Sequence, residues 1–133
     1  MAPTDSGLIR LPDRSQLVWL FFGISGRVSR AAYFLGGLLL VVIQLFPLYR
    51  FTLVPEASPQ GQSWALVFGL VVLVSIWSNI ALTIKRLHDV DRPGIYALTL
   101  FIPVISILVF IALCFYPGDP GPNKYGPATN MRN

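Results

Sequence analysis

The sequence is poor in charge. Lys, Arg, Asp and Glu make up 12% of its 133 residues, where a soluble domain carries about a quarter. It has one cysteine, Cys114, and one histidine, His88. A single thiol excludes an internal disulfide and a cysteine metal centre, and reads as a small apolar group near a helix end. The N-terminal stretch MAPTDSGLIRLPDRSQLVWLFFGIS lacks a basic start running into an apolar core and a small-residue cleavage site, so it is not read as a cleaved signal peptide. There are no internal repeats. What fills the chain is apolar: 54% hydrophobic residues and a mean hydropathy of +0.64. A soluble domain of this length buries only part of its surface, too little to hide so much. Lipid is the expected solvent. The net charge of +4 does not point to nucleic acid, because the cations stand beside apolar runs as they do at membrane boundaries.

Three uncharged runs approach or exceed the ~20 residues that cross a bilayer. They are Ala31–Tyr49, Trp64–Ile84 and Ile95–Tyr116, within one domain covering residues 1–133. Lipid requires internal backbone pairing, so each run predicts a helix, and the fold class is an all-α membrane protein with three transmembrane helices. The third run contains Pro103, which predicts a kink. A re-entrant hairpin is the other reading of that run, and it would bring the tail back to the starting side. Gln16–Ile24 is apolar but too short to span, so it predicts an amphipathic interfacial helix, or one packed on the bundle. Residues 50–63 and the Pro/Gly-rich tail, 117–133, read as irregular.

Basic residues set the expected orientation. Arg10, Arg14, Arg27 and Arg30 precede the first span, and Lys85, Arg86 and Arg92 lie between the second and third. Arg50, with Lys124 and Arg132 if there are three spans, falls on the other side. The N-terminus and the 85–94 loop are thus expected in the cytoplasm and the tail outside.

The stretch KRLHDVDRPG concentrates chemistry. On a continued helix Lys85 and Asp89 stand at i,i+4 and Arg86 and Asp89 at i,i+3, so both pairs are geometrically open. Asp91 is placed to cap the third helix, with Pro93 in its first turn. One histidine beside two carboxylates is a thin ligand set, and the other acids are far off in sequence, so no metal, cofactor or catalytic residue is assigned. In FFGISGRVSRAAYF, Gly23 and Gly26 break the interfacial segment and Ser29 is placed to cap the first span. Arg27, Arg30 and Arg92 are expected at headgroup level, where each cation near an anionic leaflet is worth about 1 kcal/mol.

Polar groups within spans usually face other helices. Asn79 lies about 8 Å from the inner end of its span, level with Gly36, Gly37 and Thr99. Gln44 lies about 20 Å in, nearer Ser106. These predict two separate packing contacts. With no charge at mid-membrane, a proton relay is not indicated.

Three stretches resemble the bacterial DUF805 family of small inner-membrane proteins. They are the Gly–Arg–x–Ser–Arg start (Gly26, Arg27, Ser29, Arg30), an Arg–Leu–His–Asp segment (Arg86, Leu87, His88, Asp89) and a tail motif (Gly121, Asn123, Lys124, Tyr125, Gly126, Pro127). Tyr96 stands where that family often has tryptophan. The resemblance implies an inner-membrane location and no particular reaction. The expected function is interaction, as a complex accessory or lipid-surface protein. Its partners would be anionic headgroups, another protein or further copies of the chain, meeting Arg27, Arg30, Lys85, Arg86, His88, Asp89 and Arg92. An oligomeric ion or small-solute transporter is the alternative. An enzyme using His88 and Asp89 stands behind both.

Overall fold

The computed structural model describes residues 12–131. Its elements are α1 (Arg14–Phe22), α2 (Arg30–Thr52), α3 (Pro59–Asp89), a 3-10 helix (Gly94–Phe101) and α4 (Pro103–Phe115). Arg10 and Arg132, counted for orientation, lie outside the described residues.

The helix ends follow from local chemistry. Asp13 and Gln16 cap α1 reciprocally, each side chain accepting from the other's backbone N–H. Ser29 caps α2 as expected, through Ala32 N at 3.1 Å. Ser58 does the same for α3 through Gly61 N, with Pro59 in the first turn. Gly26 has φ +92°, a left-handed turn that reverses the chain between α1 and α2.

Helices α2 and α3 are long and apolar enough to cross a membrane. They pack antiparallel along a seam that Gly36 keeps close. A Cβ there would sit 3.1 Å from Leu82, and one at Gly37 would sit 3.1 Å from Phe110 of α4. Outside that seam the surface is apolar: Leu35, Phe46, Leu66, Leu73 and Ile107 are all at least 60% exposed. In water such a surface would be unstable, whereas hydrocarbon suits it.

The third run is not one continuous helix. Pro103 disfavours helical geometry at the preceding residue, and Ile102 is extended, at φ −104° and ψ 110°. The chain therefore breaks instead of kinking. The 13 residues of α4 rise about 20 Å, short of the ~30 Å hydrocarbon core. The carbonyls of Leu113, Phe115 and Tyr116 accept from Arg86 and Arg30, so α4 ends at the level where the 3-10 helix began. Both ends of the run lie at the C-terminal end of α3, and the tail packs there with the N-terminal motif, where the three-span reading expects it at the opposite end.

Two local expectations also fail. Asp91 does not cap the next element, since its backbone is left-handed at φ 58° and Pro93 precedes the 3-10 helix with no side-chain cap. Helix α1 is not amphipathic across its axis. Its polar residues, Arg14, Ser15 and Gln16, occupy the first turn and the rest is apolar all round, so its polarity runs along the axis, and it packs on α3 through Trp19 and Phe22, the other reading of this segment.

Candidate functional site

Two consecutive cations of α3 fasten the short elements. The Lys85 ammonium donates to the carbonyls of Trp19 and Leu20 in the last turn of α1 and lies 4.5 Å from the Trp19 ring. Arg86 donates from Nε to Leu113 O at 2.8 Å and from Nη2 to Tyr116 O, at the end of α4. A helix C-terminus leaves carbonyls without intrahelical partners and carries partial negative charge, so a cation there answers both needs. Lys85 thus pins α1 and Arg86 pins α4, and Lys85 makes no pair with Asp89.

Asp89 is shared by two arginines, accepting from Arg86 Nη1 at 2.6 Å and from Arg27 Nε at 3.0 Å. Arg27 spends its other donors on the tail: Gly121 O at 2.8 Å, Gly126 O at 3.2 Å and Asp119 O at 2.7 Å. Arg27, Lys85, Arg86 and Asp89 are at most 3% exposed. Buried charge is costly unless every donor is matched. Here it is matched: among the described residues no buried side-chain nitrogen or oxygen lacks a partner.

The tail is folded onto this centre by its own motif. Asp119 N donates to Asp89 O at 2.7 Å. Gly118 packs so tightly that a Cβ would fall 1.9 Å from an Asp89 carboxylate oxygen. Asn123 and Gly126 close a turn by exchanging backbone hydrogen bonds, and Asn123 Nδ2 donates to His88 O and Asp119 Oδ2, both at 2.9 Å. The Tyr125 and His88 rings stack at 4.0 Å between centroids, 3° from parallel. His88 Nδ1 lies 3.1 Å from Gly26 O, a pairing that requires the proton on Nδ1. Asn130 completes the closure against Ser29 N, Ser29 Oγ and Arg27 O.

The three sequence motifs therefore form one polar knot at one end of the bundle. Its members Arg27, Lys85 and Arg86 are buried, and His88 is half-buried within α3 and not in a loop. Leu87 joins the apolar core beside the knot. Arg14, Arg30, Arg92 and Lys124 are exposed around it, as is Pro127 of the tail motif. The polar groups of the apolar runs bond close to home. Gln44, Thr99 and Ser106 bond carbonyls of their own helices. Asn79 lines a groove with Tyr33, Thr83 and Ser106. Sequence reasoning missed Gly118, Asp119 and Asn130, and it read Trp19 as an interfacial anchor, not as the partner of Lys85. The Pro/Gly density around Gly118 and Asp119 signals an irregular tail but carries no signal of what it docks on.

A family model described as "Protein of unknown function (DUF805)" matches residues 21–127, from the end of α1 through the tail motif. Two Escherichia coli (strain K12) proteins are similar. Inner membrane protein YhaI is 32% identical over 113 residues, 80% of this chain and 85% of its own length. Inner membrane protein YhaH is 31% identical over 109 residues, 80% and 87% respectively. No solved structure matches.

Proposed function

We propose that this chain, which belongs to the DUF805 family and is a helical membrane protein, acts through interaction by presenting a cationic end to anionic phospholipid headgroups. The observation that carries the reading is the distribution of charge. Among the described residues the knot end holds seven cations (Arg14, Arg27, Arg30, Lys85, Arg86, Arg92, Lys124) against four carboxylates (Asp13, Asp89, Asp91, Asp119). The α2–α3 loop end holds Arg50 and Glu56, which balance. Positive charge gathers on the cytoplasmic side of inner-membrane proteins, so the knot faces the cytoplasm and α2 and α3 both cross.

The division of labour within the knot supports interaction. Groups that chemistry would need, His88 and Asp89, are engaged by Gly26, Arg27, Arg86 and Tyr125. The exposed cations retain donors. Arg30 spends Nη1 on Phe115 O at 3.1 Å, and Arg14 and Arg92 have no side-chain partner among the described residues. Each exposed cation contributes about 1 kcal/mol near an anionic surface.

The test is lipid retention. Protein purified from mixed phosphatidylglycerol and phosphatidylcholine vesicles is expected to keep phosphatidylglycerol preferentially. The joint change Arg14→Gln, Arg30→Gln, Arg92→Gln should abolish the preference and leave thermal stability near wild type. An unchanged lipid ratio in that variant refutes the reading.

A further inference from the structure

We propose that the protein is an asymmetric wedge, wider in the leaflet at the knot end, and that the lipid surface it fits is one whose knot-side leaflet is convex. The elements reach different heights, independently of charge. Trp77 Nε1 donates to Phe22 O at 3.2 Å, which places the tip of α1 about 18 Å along α3 from Asp89. The re-entrant hairpin turns at a similar height, because Phe101 and Ser106 line one groove with Ile76, about 20 Å from Asp89. Both short elements enter from the knot side and stop near the bilayer middle.

Beyond that height α3 continues with α2 for company. The 31 residues of α3 span about 46 Å, and its buried positions are Gly61 and then none until Ser75. The outer contacts are between α2 and α3: Phe46 edge-on to Trp64 at 5.9 Å and Arg50 over Trp64 at 5.2 Å. One leaflet thus meets α1, α2, α3, the 3-10 helix and α4, and the other meets two helices.

The steps where the short elements end are grooves open to lipid. One, about 350 Å³, lies above Phe21 and Phe22 between Leu40, Ile43 and Val74. The other, about 450 Å³, opens at the hairpin tip by Ile76, Phe101 and Ser106 and runs along the hairpin's flank to Tyr33, Thr83 and Phe110. The first groove and the outer mouth of the second take acyl chains of the opposite leaflet. The first groove is lined by apolar side chains and two serines, and chains from that leaflet must reach down to cover each step, since an uncovered apolar step is unfavourable. Filling the steps draws the narrow-side leaflet inward. Such a body sits with least distortion where the knot-side leaflet is stretched outward, in line with the curvature dependence of other asymmetrically inserted helices.

The test uses giant vesicles of neutral phosphatidylcholine, so that headgroup binding does not contribute, with narrow membrane tubes pulled from them. In a Cys114→Ala background, Lys124→Cys or Glu56→Cys is labelled with a membrane-impermeant dye, so that copies with the knot outside or inside are seen separately. Both sites are exposed. The tube-to-vesicle density ratio is expected above unity for copies labelled at Lys124→Cys and below unity for those labelled at Glu56→Cys. Any other pattern, equal densities included, overturns the wedge and leaves the anionic-lipid reading untouched.

Discussion

Arg27 and Asp89, 62 residues apart in sequence, meet at 3.0 Å in the interior, and the same guanidinium holds three carbonyls of the tail. That one side chain joins the turn before α2, the end of α3 and the C-terminal motif. Lys85 and Arg86 bind the remaining elements to the same point, so charge-assisted hydrogen bonds join the short pieces to one centre beside the apolar core.

Removing the shared carboxylate leaves two buried guanidinium groups without a counter-charge. Breaking a buried pair costs about 3–5 kcal/mol. Asp89→Asn is therefore expected to lower the thermal unfolding temperature in detergent sharply. Arg27→Met should cost a similar amount, and because both changes act on one network the double variant should cost less than the two losses added. Additive losses would mean that the pair does not act as a unit.

The tail offers a contrast between glycines. Gly118→Ala places a methyl group against the Asp89 carboxylate and its backbone carbonyl, so the tail must lift. Gly121→Ala meets nothing within 4 Å. Limited proteolysis should cut the Gly118→Ala tail much faster than wild type and leave Gly121→Ala unchanged.

The stack of His88 on Tyr125 is a separable contribution. Aromatic pairs of this geometry contribute about 0.5–1.5 kcal/mol beyond buried area. A double-mutant cycle of His88→Ala and Tyr125→Ala, read by denaturation, should return a coupling in that range. A coupling near zero would assign the tail's attachment to its hydrogen bonds with Arg27, Ser29, His88 O and Asp89 O.

Much of the scaffold is legible in the sequence because it rests on local rules. The hydropathy of Ala31–Tyr49 and Trp64–Ile84, the caps at Ser29 and the break at Gly23 and Gly26 need no distant partner. The hairpin is not legible in that way. Pro103 signals a disturbance, and whether the helix bends or breaks depends on whether something waits for the returning end. What waits is Arg86, whose i,i+3 partner Asp89 is visible in sequence and whose carbonyl partners Leu113 and Tyr116 are not. Backbone acceptors leave no trace in residue identity. For the same reason the charged residues read as a solvated turn: their partners are mostly carbonyls.

The membrane-embedded polar groups can be ranked by whether they have partners. Tyr33 and Thr83 share a hydrogen bond of 3.0 Å at buried positions, on the floor of the groove beneath Phe110. Thr83→Val strands the Tyr33 hydroxyl, and an unsatisfied buried group costs about 1–3 kcal/mol. Asn79 lies one turn away on the same helix, half-buried, and its side chain has no hydrogen bond among the described residues. Its amide faces hydrocarbon at a cost that an apolar side chain of similar size does not incur. Asn79→Leu should therefore raise the unfolding temperature in lipid nanodiscs, opposite in sign to Thr83→Val. Destabilisation by Asn79→Leu would mean that the amide holds a partner in the bilayer, and native mass spectrometry of the wild type would then be expected to retain it.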